Sequence, residues 1–111
     1  MRLRIADLWS PDLNPPSEGL PASDDFDLLL QVSISENGAP GHEVFSCRVC
    51  TAEALAGTPD GKFVAATLVL ETFSWGEVRD RLQKRLRHCD GCATWGEVIA
   101  RLRPFLSHND S

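Results

Sequence analysis

Two Cys-x-x-Cys pairs, CRVC at 47–50 and CDGC at 89–92, carry the residue types most able to do chemistry in this chain. Four thiolates suffice to hold a structural zinc ion in a tetrahedron, provided that the two sulfurs of each pair come within about 4 Å of one another around a metal at ~2.3 Å. CDGC, with Gly91 inside it, suits such a turn. CRVC does not, because it ends the alternating run EVFSCRVC with no glycine or proline in or just after it. In an extended strand rising ~3.3 Å per residue, positions 47 and 50 lie about 10 Å apart and point to opposite faces. His88 would also be a surplus ligand for a closed site. The expectation is that Cys47, Cys50, Cys89 and Cys92 are buried or semi-exposed thiols with no bound metal or cofactor. The alternative is a small zinc-stabilised interaction or regulatory domain that uses all four. A thioredoxin-like role for CDGC has less support, since that motif follows a strand and here a helix precedes it.

Other groupings are sparse. His42, His88 and His108 fall in a turn, at a helix end and in the tail, where solvated side chains are expected. The sequence lacks a glycine-rich phosphate loop, an HExxH helix and any pair of carboxylates set for acid–base work. No catalytic residue is assigned, and the expectation is a protein that is not an enzyme.

The 111 residues, 42% of them apolar, bound the answer to one domain spanning 1–111 and one core. A chain of this length buries roughly two thirds of its unfolded surface without needing staples. No run approaches the ~20 apolar residues of a membrane span, and MRLRIADLW lacks the apolar stretch of a secretion signal, so a cytoplasmic protein is expected. Of the net charge of −5, all resides in residues 1–50, which hold eight acidic against three basic side chains, whereas 51–111 hold eight of each. Such a bias disfavours nucleic acid, and it suits either a basic protein partner or simple solubility. The candidate contacts are Asp24, Asp25 and Asp27, with Glu36 and Glu43 beside a turn.

The elements that would position these groups follow from periodicity. Residues 3–9 read as a short strand, with Leu3 and Ile5 on one face. The stretch SPDLNPPSEGLPASDD contains four prolines and reads as a loop with little regular hydrogen bonding. FDLLLQVSI and EVFSCRVC each alternate, and ENGAPGHE between them provides a hairpin turn. TAEALAG suits a short helix from a Thr51 cap to Gly57. KFVAATLVLETF, apolar on both sides through Val69, reads as a central strand. Two amphipathic helices close the chain, their apolar stripes running through Trp75, Val78, Leu82 and Leu86, and through Trp95, Val98, Ile99, Leu102 and Leu106. Each starts with a capping box, Ser74 with Glu77 and Thr94 with Glu97. The fold class expected is α+β, a mainly antiparallel four-stranded sheet covered by two C-terminal helices, with Trp75 and Trp95 packing the helix starts onto the sheet.

The order of these motifs resembles the Immunity protein 8 family of bacterial polymorphic toxin systems. An early SPD, the FDLLLQVSI strand, Val49-Cys50-Thr51 before a short helix, and Cys89 through Trp95-Gly96-Glu97-Val98 carry the likeness, which runs from about Leu8 to Leu102. The resemblance implies an α+β fold and a non-catalytic protein that neutralises a cognate toxin by binding it. Only Cys50 and Cys89 occupy positions where the family commonly has cysteine, and nothing in the resemblance implies a metal. The chain departs from the family in its ending FLSHNDS and in lacking a tryptophan soon after Thr51, where Leu55 is the nearest bulky residue.

Overall fold

The computed structural model describes residues 1–57 and 66–109. In chain order these form β1 (Leu3–Trp9), β2 (Asp27–Glu36), β3 (Glu43–Cys50), α1 (Ala52–Ala56), β4 (Thr67–Val69), α2 (Trp75–Arg87), α3 (Trp95–Leu102) and β5 (Ser107–His108). The sheet runs β1-β2-β3-β4, with β5 also on β3, and every pairing is antiparallel except the parallel one between β3 and β4. The α+β class and the mostly antiparallel sheet agree with the sequence patterning.

Strict alternation in β2 and β3 sends Leu28, Leu30, Val32 and Ile34, and Phe45, Cys47 and Val49, to one buried face. A register shift between Ile5 and Asp7 in β1 lets Leu8 join Ile5 on that face despite their odd spacing. Val78, Leu82 and Leu86 of α2 and Val98 and Leu102 of α3 belong to the same core cluster, so the two helices cover this face as their stripes require. Trp75 and Trp95 pack at its margin, half-buried. The second face stays largely polar, with Gln31, Ser33 and Ser46 along its middle and Leu29 42% exposed.

Thr67–Val69 is a three-residue edge strand, not the central strand that its apolar run suggests. The middle of the sheet is taken by the long hairpin of β2 and β3, whose opposed residues run from Asp27–Cys50 to Ile34–Glu43. A chain that leaves β3 through a helix returns parallel to it and can join only at the free edge. Val69 is accordingly 44% exposed, and the chain has left the sheet by Glu71. The remainder of that expected strand, residues 62–65, and the expected turn at 58–61 lie outside the described residues.

The tail also differs from expectation. α3 stops at Leu102, two residues before Pro104, although Leu106 is still buried and its amide reaches the Leu102 carbonyl at 2.8 Å. Ser107 and His108 then pair with Ser46 and Phe45. His108 is therefore not a solvated tail residue: its Nε2 lies 2.8 Å from Glu43 Oε2 and its ring packs at a tilt against Phe45, 5.1 Å between centroids.

The capping boxes are not equivalent. Thr94 Oγ1 accepts from the Glu97 amide at 3.3 Å while Glu97 Oε2 reaches back to accept from the amide of Ala93, the residue before the cap, at 2.7 Å. Ser74 Oγ accepts from the Glu77 amide at 3.3 Å, but the Glu77 carboxylate turns to Arg81 at 3.5 Å instead.

Candidate functional site

The proline-rich loop has more structure than its composition suggests. Pro11 has no N–H with which to continue the β1–β2 ladder past the Trp9–Gln31 pair. Side chains take over: Ser10 Oγ donates to the Leu29 carbonyl at 2.6 Å, and Asp12 Oδ2 accepts from the Leu29 amide at 2.8 Å. Further on, the Ser10 amide donates to the Pro16 carbonyl at 2.8 Å and the Gly19 amide to the Pro15 carbonyl at 2.7 Å. A Cβ on Gly19 would stand 2.8 Å from both the Asn14 nitrogen and the Pro15 oxygen, so only glycine fits this crossing. Trp75 Nε1 then donates to the Gly19 carbonyl at 2.8 Å, fastening the loop to the start of α2.

Past this point the loop carries Asp24 and Asp25 to the end of the sheet where β2 begins and β3 ends. Thr51 Oγ1 donates to Asp25 Oδ1 and accepts from the Ala54 amide at 3.3 Å, so one hydroxyl caps α1 and holds the loop. A groove of about 570 Å³ opens there, lined by Asp24, Asp25, Glu53, Glu71, Val69 and Thr51 among others. Asp24 and Glu71 also line the adjoining hollow of about 180 Å³, whose apolar side is Phe26 and Phe73. Asp24, Glu53 and Glu71 make no ion pair among the described residues. Four carboxylates thus share one concave surface without a counterion from the described part of the chain.

The five carboxylates singled out from the sequence do not form one patch. Asp24 and Asp25 line the groove. Asp27 adjoins it but is engaged by Arg48, whose Nε and Nη2 each donate to one of its oxygens at 2.7 Å. This pair holds the guanidinium above its usual pKa, the hydrogen bond to Asp27 being the main cause. Glu36 ends β2 nine residues away, about 30 Å along an extended strand, and Glu43, at the same far end, is bonded to His108. Glu53 and Glu71 were missed by the sequence reading. Nothing local marks them, since they join Asp24 and Asp25 only through the way α1 and the segment after β4 return to the sheet end.

The cysteines separate as the extended backbone requires. Cys47 faces the helices and Cys50 the opposite side of the sheet, three residues along the same strand. All four thiols are buried. Burial pushes the Cys47 thiol from 9.0 up to about 12, and raises Cys50 and Cys89 as well. For Cys89 the neighbouring Cys92 adds to the effect. Among the described residues, no three His, Cys, Asp or Glu side chains come together as a metal-binding group. The remaining histidines stand apart, His42 exposed near the β2–β3 turn and His88 at the C-cap of α2, where its carbonyl accepts from Arg101 at 2.8 Å. Among the described residues, no helix is long and apolar enough to cross a membrane.

Comparison with curated proteins and with solved structures finds no match. The model of one protein family, described as Immunity protein 8, matches residues 3–108, extending the sequence likeness at both ends to take in β1 and β5. With nearly the whole chain covered, from the first strand of the sheet to the last, this protein belongs to the Immunity protein 8 family.

Proposed function

We propose that this chain is a non-catalytic immunity protein that acts as a single domain in the bacterial cytoplasm, binding and neutralising the cognate toxin of a polymorphic toxin system. Membership of the Immunity protein 8 family over residues 3–108 carries this reading. The four-carboxylate groove supports it, because a concave acidic surface with apolar walls suits a basic, amphipathic element of a protein partner.

In this reading Asp24 and Asp25, with Glu53 and Glu71, meet the toxin. Asp27 orders the rim through Arg48. Glu36 and Glu43 lie too far along β2 and β3 to share that contact, and serve a second one if the toxin spans the sheet. Long-range attraction to a basic toxin accelerates encounter more than it deepens the final affinity.

Co-expression tests the reading. A toxin domain encoded beside this chain's gene is expected, and it should arrest growth when expressed alone and be tolerated when the chain is present. Continued arrest, with the chain abundant and folded, would remove toxin neutralisation as its function.

A further inference from the structure

A second concavity lies on the helix side of the sheet, away from the acidic groove, and arises from how β3 finds its partners. The outer edge of β3 is divided: Phe45 and Ser46 pair with β5 antiparallel, and Arg48, Val49 and Cys50 pair with β4 in parallel. Cys47 sits at the seam between the two short strands. A cavity of about 350 Å³ opens over it, walled by Leu68 of β4, Leu82 of α2 and Phe105 beyond α3, with Arg81 and Arg85 also lining it. That volume falls within the usual range of small-molecule sites.

The lining combines two features that select a ligand. Cys47 and Leu82 are almost fully buried, so the inner part is apolar. Burial pushes the Cys47 thiol further above neutral pH, so the floor carries no charge there. Arg81 and Arg85, one helical turn apart on α2, bring positive charge to the same cavity. The Arg85 guanidinium carbon stands 3.9 Å from the centre of the Phe105 ring, which orients it without using its N–H donors in an ion pair among the described residues. Among the described residues Arg81 has only a contact with Glu77 at 3.5 Å, on side chains 57% and 43% exposed, which a better anion can displace. A planar carboxylate matches guanidinium donors, and an alkyl or aryl body matches the walls.

We infer that this cavity is a binding site for a small amphiphilic carboxylate, its apolar body between Leu68, Leu82 and Phe105 and its carboxylate on Arg81 and Arg85. The site is separate from the acidic groove, and its occupancy does not depend on whether the chain neutralises a toxin.

Titration of the full chain with octanoate, followed by amide and methyl NMR shifts, tests the proposal, with octanol and octylammonium as matched probes. Octanoate should bind saturably, with shifts centred on Cys47, Leu68, Leu82 and Phe105, and about tenfold more tightly than hexanoate because two more methylenes are buried. The double variant Arg81→Glu, Arg85→Glu should lose at least tenfold for octanoate and not for octanol. Leu68→Trp, which fills the cavity and leaves the charges in place, should abolish binding of both. Equal affinity for octanoate and octylammonium would overturn the inference, as would unsaturable shifts spread over the surface or octanoate binding undiminished by Leu68→Trp.

Discussion

Trp75 and Gly19 are joined by a 2.8 Å hydrogen bond from the indole Nε1 to the main-chain carbonyl, so the first residue of α2 holds the loop that leads to Asp24 and Asp25. The half-buried indole also packs edge-on against Phe73 at 5.1 Å, which in turn meets Phe26 edge-on at 5.6 Å. Loop, sheet end and helix start are thereby one packed unit, and the acidic groove has a firm base.

Trp75→Phe keeps the ring contact and removes the donor, and should cost about 1 kcal/mol in urea unfolding. Gly19→Ala drives a methyl into backbone atoms 2.8 Å away and should cost about 1–3 kcal/mol. If both variants unfold with the wild type, the loop is not held as described.

Thr51 serves both the loop and α1, through Asp25 and the Ala54 amide. Thr51→Ala should therefore lower stability by about 1–2 kcal/mol, the upper end of a cap deletion. By contrast, Asp27→Asn should cost less than about 1 kcal/mol, because the Asp27 side chain is half exposed and its pair with Arg48 is screened by water. Equilibrium unfolding of the two variants side by side checks the order.

The helix starts give a finer comparison. Glu97→Ala removes a carboxylate that caps the Ala93 amide and should cost about 0.5–1 kcal/mol. Glu77→Ala removes only an exposed contact with Arg81 and should cost about 0.3 kcal/mol. Equal losses would mean that both boxes close alike in solution.

A pH effect follows from the buried thiols. Raised in the folded state, the Cys47 thiol remains protonated where the unfolded chain ionises, so above about pH 9 the unfolded state binds fewer protons. Its contribution is complete below the unfolded value and is lost as pH climbs toward 12. Stability should fall across that window by about 1.4 kcal/mol per pH unit through Cys47. Cys47→Ala should be less stable at pH 7 and show a shallower alkaline decline; parallel declines would place Cys47 in water. The chain contains no tyrosine, which removes one competing titration from this range.

Much of this architecture is legible in the sequence because alternation and helical periodicity are local. The hairpin faces, the Thr51 and Thr94 caps, and the separation of Cys47 from Cys50 all follow from spacing of two or 3.6 residues. What is not legible is long-range. The apolar run ending at Val69 looks central because burial by helices and burial by strands leave the same composition, and only the crossover after β3 sends it to the edge. His108 reads as a tail residue until β5 finds Phe45. The same holds for the candidate site. Asp24 and Asp25 stand out as a charged run, whereas Glu53 and Glu71 become their neighbours only when three separate connections return to one end of the sheet.

Association kinetics of the purified chain with the proposed cognate toxin domain decide whether a basic toxin is met at this acidic end. The expected result is a saturable complex whose on-rate falls with salt, and falls by about tenfold at low salt in Asp24→Lys, Asp25→Lys with a weaker salt dependence. A toxin domain that forms no complex with the folded chain would contradict it, as would one that associates equally fast with the wild type and the charge-reversed variant at every ionic strength.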